Sequence, residues 1–275
     1  MAGVISGDVA LLVVALLLAG LASGFVAGLL GVGGGGVIVP ALYEVFRIFG
    51  VDDGVRMHLT VGTALAVMGA TSVRSWRAHQ ARGAVDGAVL RRLGPSVLVG
   101  VVIGVLVARA SGGDVLKWVL VTFNLLMAAK LIFGRQHWRL GSDMPRGPGV
   151  DLYGIVAGLI STMMSIGGGI FISMMMTLYG RPIHQAVGTA AAFGPLITIP
   201  AALGFAWAGW GVAGVPTGSI GYVSLLGAAI IAPASVLAAP WGVRVSHGIA
   251  RRTLEIAFGL YMLVIGLRFL ASLVL

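Results

Sequence analysis

Long apolar runs separated by short polar stretches dominate the chain and predict a bundle of membrane helices. The apolar runs fall at about 9–30, 37–49, 58–78, 88–109, 115–134, 152–164, 168–180, 185–208, 219–241 and 253–274. A helix needs about 20 apolar residues to cross the hydrocarbon core of a bilayer. The runs at 37–49, 152–164 and 168–180 are too short for that, which predicts broken or re-entrant helices at these places.

Two glycine-rich stretches adjoin the short runs. Leu30 to Pro40 contains the run Gly33-Gly34-Gly35-Gly36, and Ser165 to Ile170 contains Gly167-Gly168-Gly169. Glycine lacks a Cβ atom and interrupts helices. In lipid, each freed N–H or C=O group needs a new partner, so a break persists only when it is buried in protein or lines a cavity. We therefore expect the two breaks to form the functional centre.

The composition agrees with a multi-pass protein embedded in a lipid bilayer. The chain has 275 residues, of which 58% are hydrophobic and 10% charged, and its mean hydropathy is +1.03. Soluble domains carry roughly 25% charged residues. The net charge of +9 does not indicate nucleic-acid binding, because the arginines cluster between apolar runs, as topology signals do. The absence of cysteine excludes disulfides and thiol chemistry.

Several motifs occur twice in the same order, which predicts a duplicated chain. Gly24–Leu29 matches Gly154–Leu159, and His58–Ala64 matches His184–Ala190. The glycine run 34–36 matches 167–169, and more weakly Lys117–Phe123 resembles Arg252–Phe258. We expect a first transmembrane repeat over 1–140, a cytoplasmic linker over 141–150 and a second transmembrane repeat over 151–275.

The distribution of lysine and arginine favours inverted repeats. With eight simple spans, these residues divide evenly between the two faces, whereas cytoplasmic loops normally hold an excess. If each glycine-broken segment enters and leaves on one side, only Arg47, Arg56, Arg109 and Lys117 remain outside. The fold class predicted is an all-α polytopic membrane protein with two inverted repeats. Each repeat would hold a glycine-broken, re-entrant helix and about three full spans, although the run 9–30 is long enough to cross alone.

The motif order resembles that of the sulfite exporter TauE/SafE family over nearly the whole chain. The resemblance rests on Gly24-x-x-x-Gly28-Leu and the glycine run, then Val61-Gly-Thr-Ala, the basic stretch Arg77–Asp86 and Val187-Gly-Thr-Ala. It implies a prokaryotic-type, multi-pass secondary transporter in the cell (inner) membrane. The expected substrates are small anionic sulfur compounds such as sulfite or organosulfonates, and the expected direction is export. A permease for another small organic anion or for uptake, a non-transport intramembrane protein, and homo-oligomerisation stay open.

The glycine breaks have a physical use in anion transport. The start of a helix presents unpaired N–H donors and about half a positive charge. Substrate oxygens could therefore bind backbone amides at Gly33, Gly34, Gly35, Gly36, Gly167, Gly168 and Gly169. The matched threonines Thr63 and Thr189 could add O–H donors. Close helix packing through glycine and back-bonding of threonine to its own helix are the structural alternatives.

Other polar residues offer fewer functions. The matched histidines His58 and His184 could couple proton movement to transport, or simply lie at the membrane interface. Glu44, three residues before Arg47, predicts an ion pair on a helix surface. No nucleotide-binding motif, catalytic triad or metal-ligand spacing is present, so we expect neither enzymatic activity nor a cofactor or metal.

Overall fold

The computed structural model describes residues 2–30, 35–134, 141, 147–246, 249 and 251–274, and these residues are almost entirely helical. The predicted site residues Gly33 and Gly34 lie outside the described residues. The helices are α1 (Ala2–Leu30), α2 (Gly35–Ile48), α3 (Asp53–Ala81), α4 (Gly87–Ala110), α5 (Gly113–Phe133), α6 (Pro148–Met164), α7 (Gly169–Leu178), α8 (Ile183–Ala208), α9 (Leu225–Ser246) and α10 (Arg251–Val274). Strands β1 (Ser219–Ile220) and β2 (Val223–Ser224) form a small antiparallel hairpin.

The helix lengths confirm an all-α membrane protein. Five helical stretches are long and apolar enough to cross a bilayer, namely Gly87–Ala110, Gly113–Phe133, Ile183–Ala208, Leu225–Gly242 and Arg252–Val274. Helices α2, α6 and α7 have 14, 17 and 10 residues and are short, as predicted. Helix α1 has 29 residues and is long enough to cross by its length alone.

The apolar run predicted at 219–241 begins with a hairpin rather than a helix. Ser219 pairs with Ser224 and Ile220 with Val223, and α9 starts only at Leu225. Tyr222 and Val223 are buried in the protein. Hydropathy indicates which residues are buried but not whether their backbone forms a helix or a strand. The buried residues of this hairpin therefore look the same in the sequence as those of a helix.

The strongest helix pairs join the two halves of the chain. Helix α1 packs on α9, α4 on α6, α3 on α8 and α5 on α10. Glycines permit the close approach. A Cβ atom added to Gly24 of α1 would lie 2.2 Å from the Ser235 carbonyl oxygen of α9, and one added to Gly154 of α6 would lie 2.4 Å from Ser96 Oγ of α4. Glycine thus permits close helix packing at these two positions, and the halves interlock.

Polar contacts tie helix ends together at the two ends of the bundle. At one end, Arg92 near the start of α4 donates to Asp151 near the start of α6 at 2.8 Å. At the other end, the buried Lys117 of α5 pairs with Asp53 of α3 at 3.6 Å and with Asp114 of its own helix at 3.1 Å. The start of α3 therefore lies beside the start of α5 and opposite the start of α4.

Candidate functional site

The second glycine break is a tight, fully built turn. Helix α6 ends at Met164, and Ser165 (φ 53°) and Gly168 (φ 70°) both adopt left-handed conformations. Ser165 is buried, and its hydroxyl donates to the Val61 carbonyl of α3 at 2.7 Å. The Ile166 amide donates to the Ser161 carbonyl at 2.9 Å. These bonds replace the helical bonds that the break removes, as a break inside a membrane protein requires.

The first break touches the second through backbone. A Cβ atom added to Gly35, the first residue of α2, would lie only 1.9 Å from the Ser165 carbonyl oxygen. No side chain fits between these two residues. Because α2 and α7 both begin at this junction, the structure brings Gly35 together with the break that contains Gly167, Gly168 and Gly169. The duplicated glycine runs thus form one structural centre.

Met68 of α3 covers this centre and is a residue that the sequence motifs did not identify. Its Sδ atom would lie 3.0 Å from a Cβ on Gly35, and its Cε atom 3.4 Å from a Cβ on Gly167. Next to it, Ser72 Oγ and Thr198 Oγ1 lie 3.3 Å apart. Ser72 and Thr198 are 126 positions apart, which is also the spacing of the matched pair His58 and His184. The repeat expected from the sequence therefore treats Ser72 and Thr198 as equivalent positions.

The start of α7 adjoins open space. A Cβ added to Gly169 would meet no atom of the described residues within 4 Å, whereas one added to Gly168 would lie 2.4 Å from Ile197 Cδ1. The amides of the first helical turn, Gly169 to Phe171, have no carbonyl within the helix to bind. Gly169 is therefore the residue of the second glycine run at which a ligand can approach the backbone.

Two buried hydroxyl groups precede this break without hydrogen-bond partners. Ser161 Oγ and Thr162 Oγ1 lie in the last turn of α6, and both residues are 0% exposed. A buried polar atom without a partner costs free energy, on the order of 1–3 kcal/mol. Hydroxyl residues directly before a glycine break inside an apolar run were the signal that could have identified them from the sequence.

Thr63 and Thr189 bind the starts of other helices. Thr63 Oγ1 accepts the Ser224 amide just before α9 at 2.9 Å, and Thr189 Oγ1 accepts the Asp86 amide just before α4 at 2.8 Å. Each threonine belongs to one half of the chain and each helix start to the other half. The two threonines, matched in the sequence, thus make similar bonds at helix starts.

The matched histidines differ in their surroundings. His58 is buried, its Nε2 lies 2.8 Å from the Ala108 carbonyl, and its ring stacks on Tyr222. His58 Nδ1 has no partner, whereas His184 is exposed. The predicted pair of Glu44 and Arg47 is confirmed at 2.6 Å. Among the described residues, no cluster of three or more histidines and carboxylates could hold a metal ion.

Comparison with known sequences adds a decisive observation. Residues 16–269 match the family described as Sulfite exporter TauE/SafE. The chain belongs to this family. The two glycine breaks, the Gly-Thr-Ala motifs and Met68 all fall inside the matched region. No solved structure matches the chain at a significant level.

Three curated relatives of this TauE/SafE protein are named probable membrane transporter proteins. One from Haemophilus influenzae is 29% identical over 91% of this chain and 95% of its own length. One from Methanocaldococcus jannaschii is 27% identical over 94% of this chain and 95% of its own length. One from Bacillus subtilis is 25% identical over 74% of this chain and 79% of its own length.

Proposed function

We propose that this membrane permease is a secondary transporter that exports small anionic sulfur compounds, such as sulfite or organosulfonates, across the cell (inner) membrane. The observation that carries the proposal is the open space at Gly169, where the start of α7 meets the backbone contact between Gly35 and Ser165. Family membership and the named relatives support transport as the activity. The substrate and the direction are part of the proposal.

The chemistry of this centre suits an oxyanion. The first-turn amides of α7 supply hydrogen bonds and a partial positive charge. Ser161 and Thr162, in the helical turn before this break, carry buried hydroxyls without partners among the described residues. These donors carry no full charge, so the anion meets no buried guanidinium that would hold it tightly and slow its release. In this proposal Gly33 to Gly36 form the matching half of the cradle.

Two inverted repeats account for the packing. In this arrangement α1 to α5 correspond in order to α6 to α10. The pair α1–α9 is then equivalent to the pair α6–α4, and the pairs α3–α8 and α5–α10 are each equivalent to themselves. The equivalent bonds of Thr63 and Thr189 at opposite helix starts support the inversion. Inverted repeats with broken helices are a recurring transporter plan. A negative interior favours anion export by about 2.3 kcal/mol per charge per 100 mV.

The transport test compares two matched glycine variants in inverted membrane vesicles that take up radiolabelled sulfite or sulfoacetate. Gly169 and Gly87 are both the first residue of a helix, and an added Cβ meets no atom within 4 Å at either position. We expect Gly169→Ala to weaken uptake about tenfold, because the methyl group fills the space beside the α7 amides, a change worth about one charge-assisted hydrogen bond. Gly87→Ala should transport normally.

If inverted vesicles that contain the folded protein take up none of the sulfur anions tested, the proposed function is overturned. Equal uptake by Gly169→Ala and Gly87→Ala would instead remove the α7 start from the binding site. Faster uptake by right-side-out than by inverted vesicles would reverse the direction of transport.

His58 carries a separate proposal for coupling to protons. Its Nε2 contacts a carbonyl and must carry the hydrogen, which leaves Nδ1 as a buried acceptor without a partner. We expect His58→Gln to flatten the pH dependence of sulfite transport while His184→Gln, at the exposed equivalent, changes it little. An unaltered pH profile in the His58 variant would end the coupling proposal.

A further inference from the structure

A groove separates the half-helix α2 from α10 along the outer half of the protein. Its volume is about 360 Å³. The groove is lined by Val37, Pro40, Ala41, Glu44, Tyr261, Ile265, Arg268 and Phe269. We propose that this groove is an outer subsite for the transported oxyanion, in which Arg268 binds the anion in place of the Glu44 carboxylate. This inference rests on the proposed transport of small oxyanions.

The inner end of the groove adjoins the first glycine break. Tyr261, which lines the groove, lies with its hydroxyl 3.4 Å from the Gly36 carbonyl oxygen. A Cβ atom added to Gly36 would lie 3.3 Å from Met262 Cε of α10. Val37, one residue further, is part of the groove wall. The groove therefore begins beside the first glycine break.

The outer end of the groove has a surplus of positive charge. Arg268 NH2 lies 3.0 Å from Glu44 Oε1, and Arg47 Nε lies 2.6 Å from Glu44 Oε2. Two guanidinium groups thus share one carboxylate, which leaves one positive charge unbalanced. The Arg268 side chain is 46% exposed at the surface of the protein. A guanidinium fork binds oxyanions through paired hydrogen bonds.

The equivalent gap in the other half of the protein is filled. By the repeat, α7 corresponds to α2 and α5 to α10, so the gap between α5 and α7 is the counterpart of the groove. There the rings of Phe123 and Phe171 lie 5.6 Å apart, and Lys130 Nζ lies 2.9 Å from Met174 Sδ. In one conformational state of a transporter, one side is open and the other is closed. In the same way, the gap between α2 and α10 is open here and the gap between α5 and α7 is closed. This asymmetry supports the groove as part of the outward route.

The test uses the natural absence of cysteine from the chain. Ala41→Cys places a single thiol in the groove wall, and its labelling by a membrane-impermeant maleimide is timed in proteoliposomes that hold the full chain. Sulfoacetate is the probe, because it does not consume maleimide as sulfite does. We expect sulfoacetate to slow labelling of the thiol. In the Arg268→Gln variant, the sulfoacetate concentration that halves the labelling rate should rise about tenfold or more. The Arg268→Lys variant should keep part of the protection.

The matched control is Arg91→Gln, which removes an exposed arginine whose Nε donates to Gly87 within α4. Protection should stay unchanged in this variant. The inference is overturned if sulfoacetate never protects the thiol, or if it protects the Arg268→Gln variant as well as the Arg91→Gln variant. It is also overturned if the labelling rate depends on the phosphatidylglycerol content of the membrane and not on sulfoacetate. The last result would make the groove a lipid site. Transport that persists alongside any of these outcomes would leave the proposed function standing.

Discussion

At the scale of single residues, the described glycines of the two breaks include some that pack and one that leaves space. Gly35 faces a backbone oxygen, Gly168 faces a side chain, and Gly169 faces no atom of the described residues within 4 Å. The same residue type therefore serves two purposes within one motif. The sequence predicted both purposes for the glycine runs but could not assign them, because spacing along a chain does not show which atoms lie opposite.

Gly35→Ala should destabilise the protein strongly. The new methyl carbon would lie 1.9 Å from the Ser165 carbonyl oxygen, so backbone must move, and forced overpacking costs about 1–3 kcal/mol or more. Tryptophan fluorescence during heating in detergent measures the effect. Gly36→Ala is the matched control, since its nearest contact is the end of the flexible Met262 side chain at 3.3 Å. Equal melting of both variants would contradict the packing argument.

Thr63→Val and Thr189→Val should each lower the melting temperature by a similar amount. Each change leaves a part-buried amide, of Ser224 or Asp86, without its acceptor, which costs about 1–3 kcal/mol. The serine variants keep the oxygen and should melt close to the unmodified protein. A change of sulfite affinity in the valine variants without a change of melting temperature would instead favour the predicted role of these threonines as ligands.

At the scale of elements, the sequence predicted the breaks well and one boundary poorly. The starts of α2 and α7, at Gly35 and Gly169, lie within two residues of the starts of the short apolar runs 37–49 and 168–180. Consecutive glycines locate such breaks closely, because each one weakens the helix at its own position. The hairpin at 219–224 was missed, because its buried residues are as apolar as those of a helix and its strands are only two residues long.

Cross-linking tests whether the gap between α5 and α7 closes in this state. Phe123→Cys with Phe171→Cys places two thiols where the rings now lie 5.6 Å apart. We expect oxidation to join the two thiols and to stop transport, because the gap between α5 and α7 can then no longer open. Phe123→Cys alone, treated in the same way, is the control. Full transport after complete cross-linking would show that this gap is not part of the route.

At the scale of the whole molecule, the halves are partners rather than separate domains. Helices α1 and α9, and likewise α4 and α6, pack across the halves through glycine contacts. The boundaries of the duplication stay a prediction. The sequence could not indicate this exchange of partners, because a repeat pattern does not show which copy packs on which. Movement of half-helices within a shared frame fits this packing better than rocking of one intact half against the other.

Expression of the halves as separate chains tests the interlocking. Neither 1–140 nor 141–275 should accumulate as folded protein alone, because each lacks the partner of its glycine-lined helix faces. Co-expression of the two should restore a complex that migrates with the size of the full chain. Stable accumulation of either half by itself would contradict the interlocked arrangement and favour independent repeats.

The backbone contact between Gly35 and Ser165 has a consequence for substrate choice. Peptide groups are chemically alike in every protein, so the cradle proposed above would accept oxyanions as a class and distinguish them poorly. Discrimination between one sulfur anion and another would then come from the surrounding side chains, among which Met68 lies directly against Gly35. Under this proposal, exchange of such a neighbour alone would change the preferred anion while the glycines stay the same.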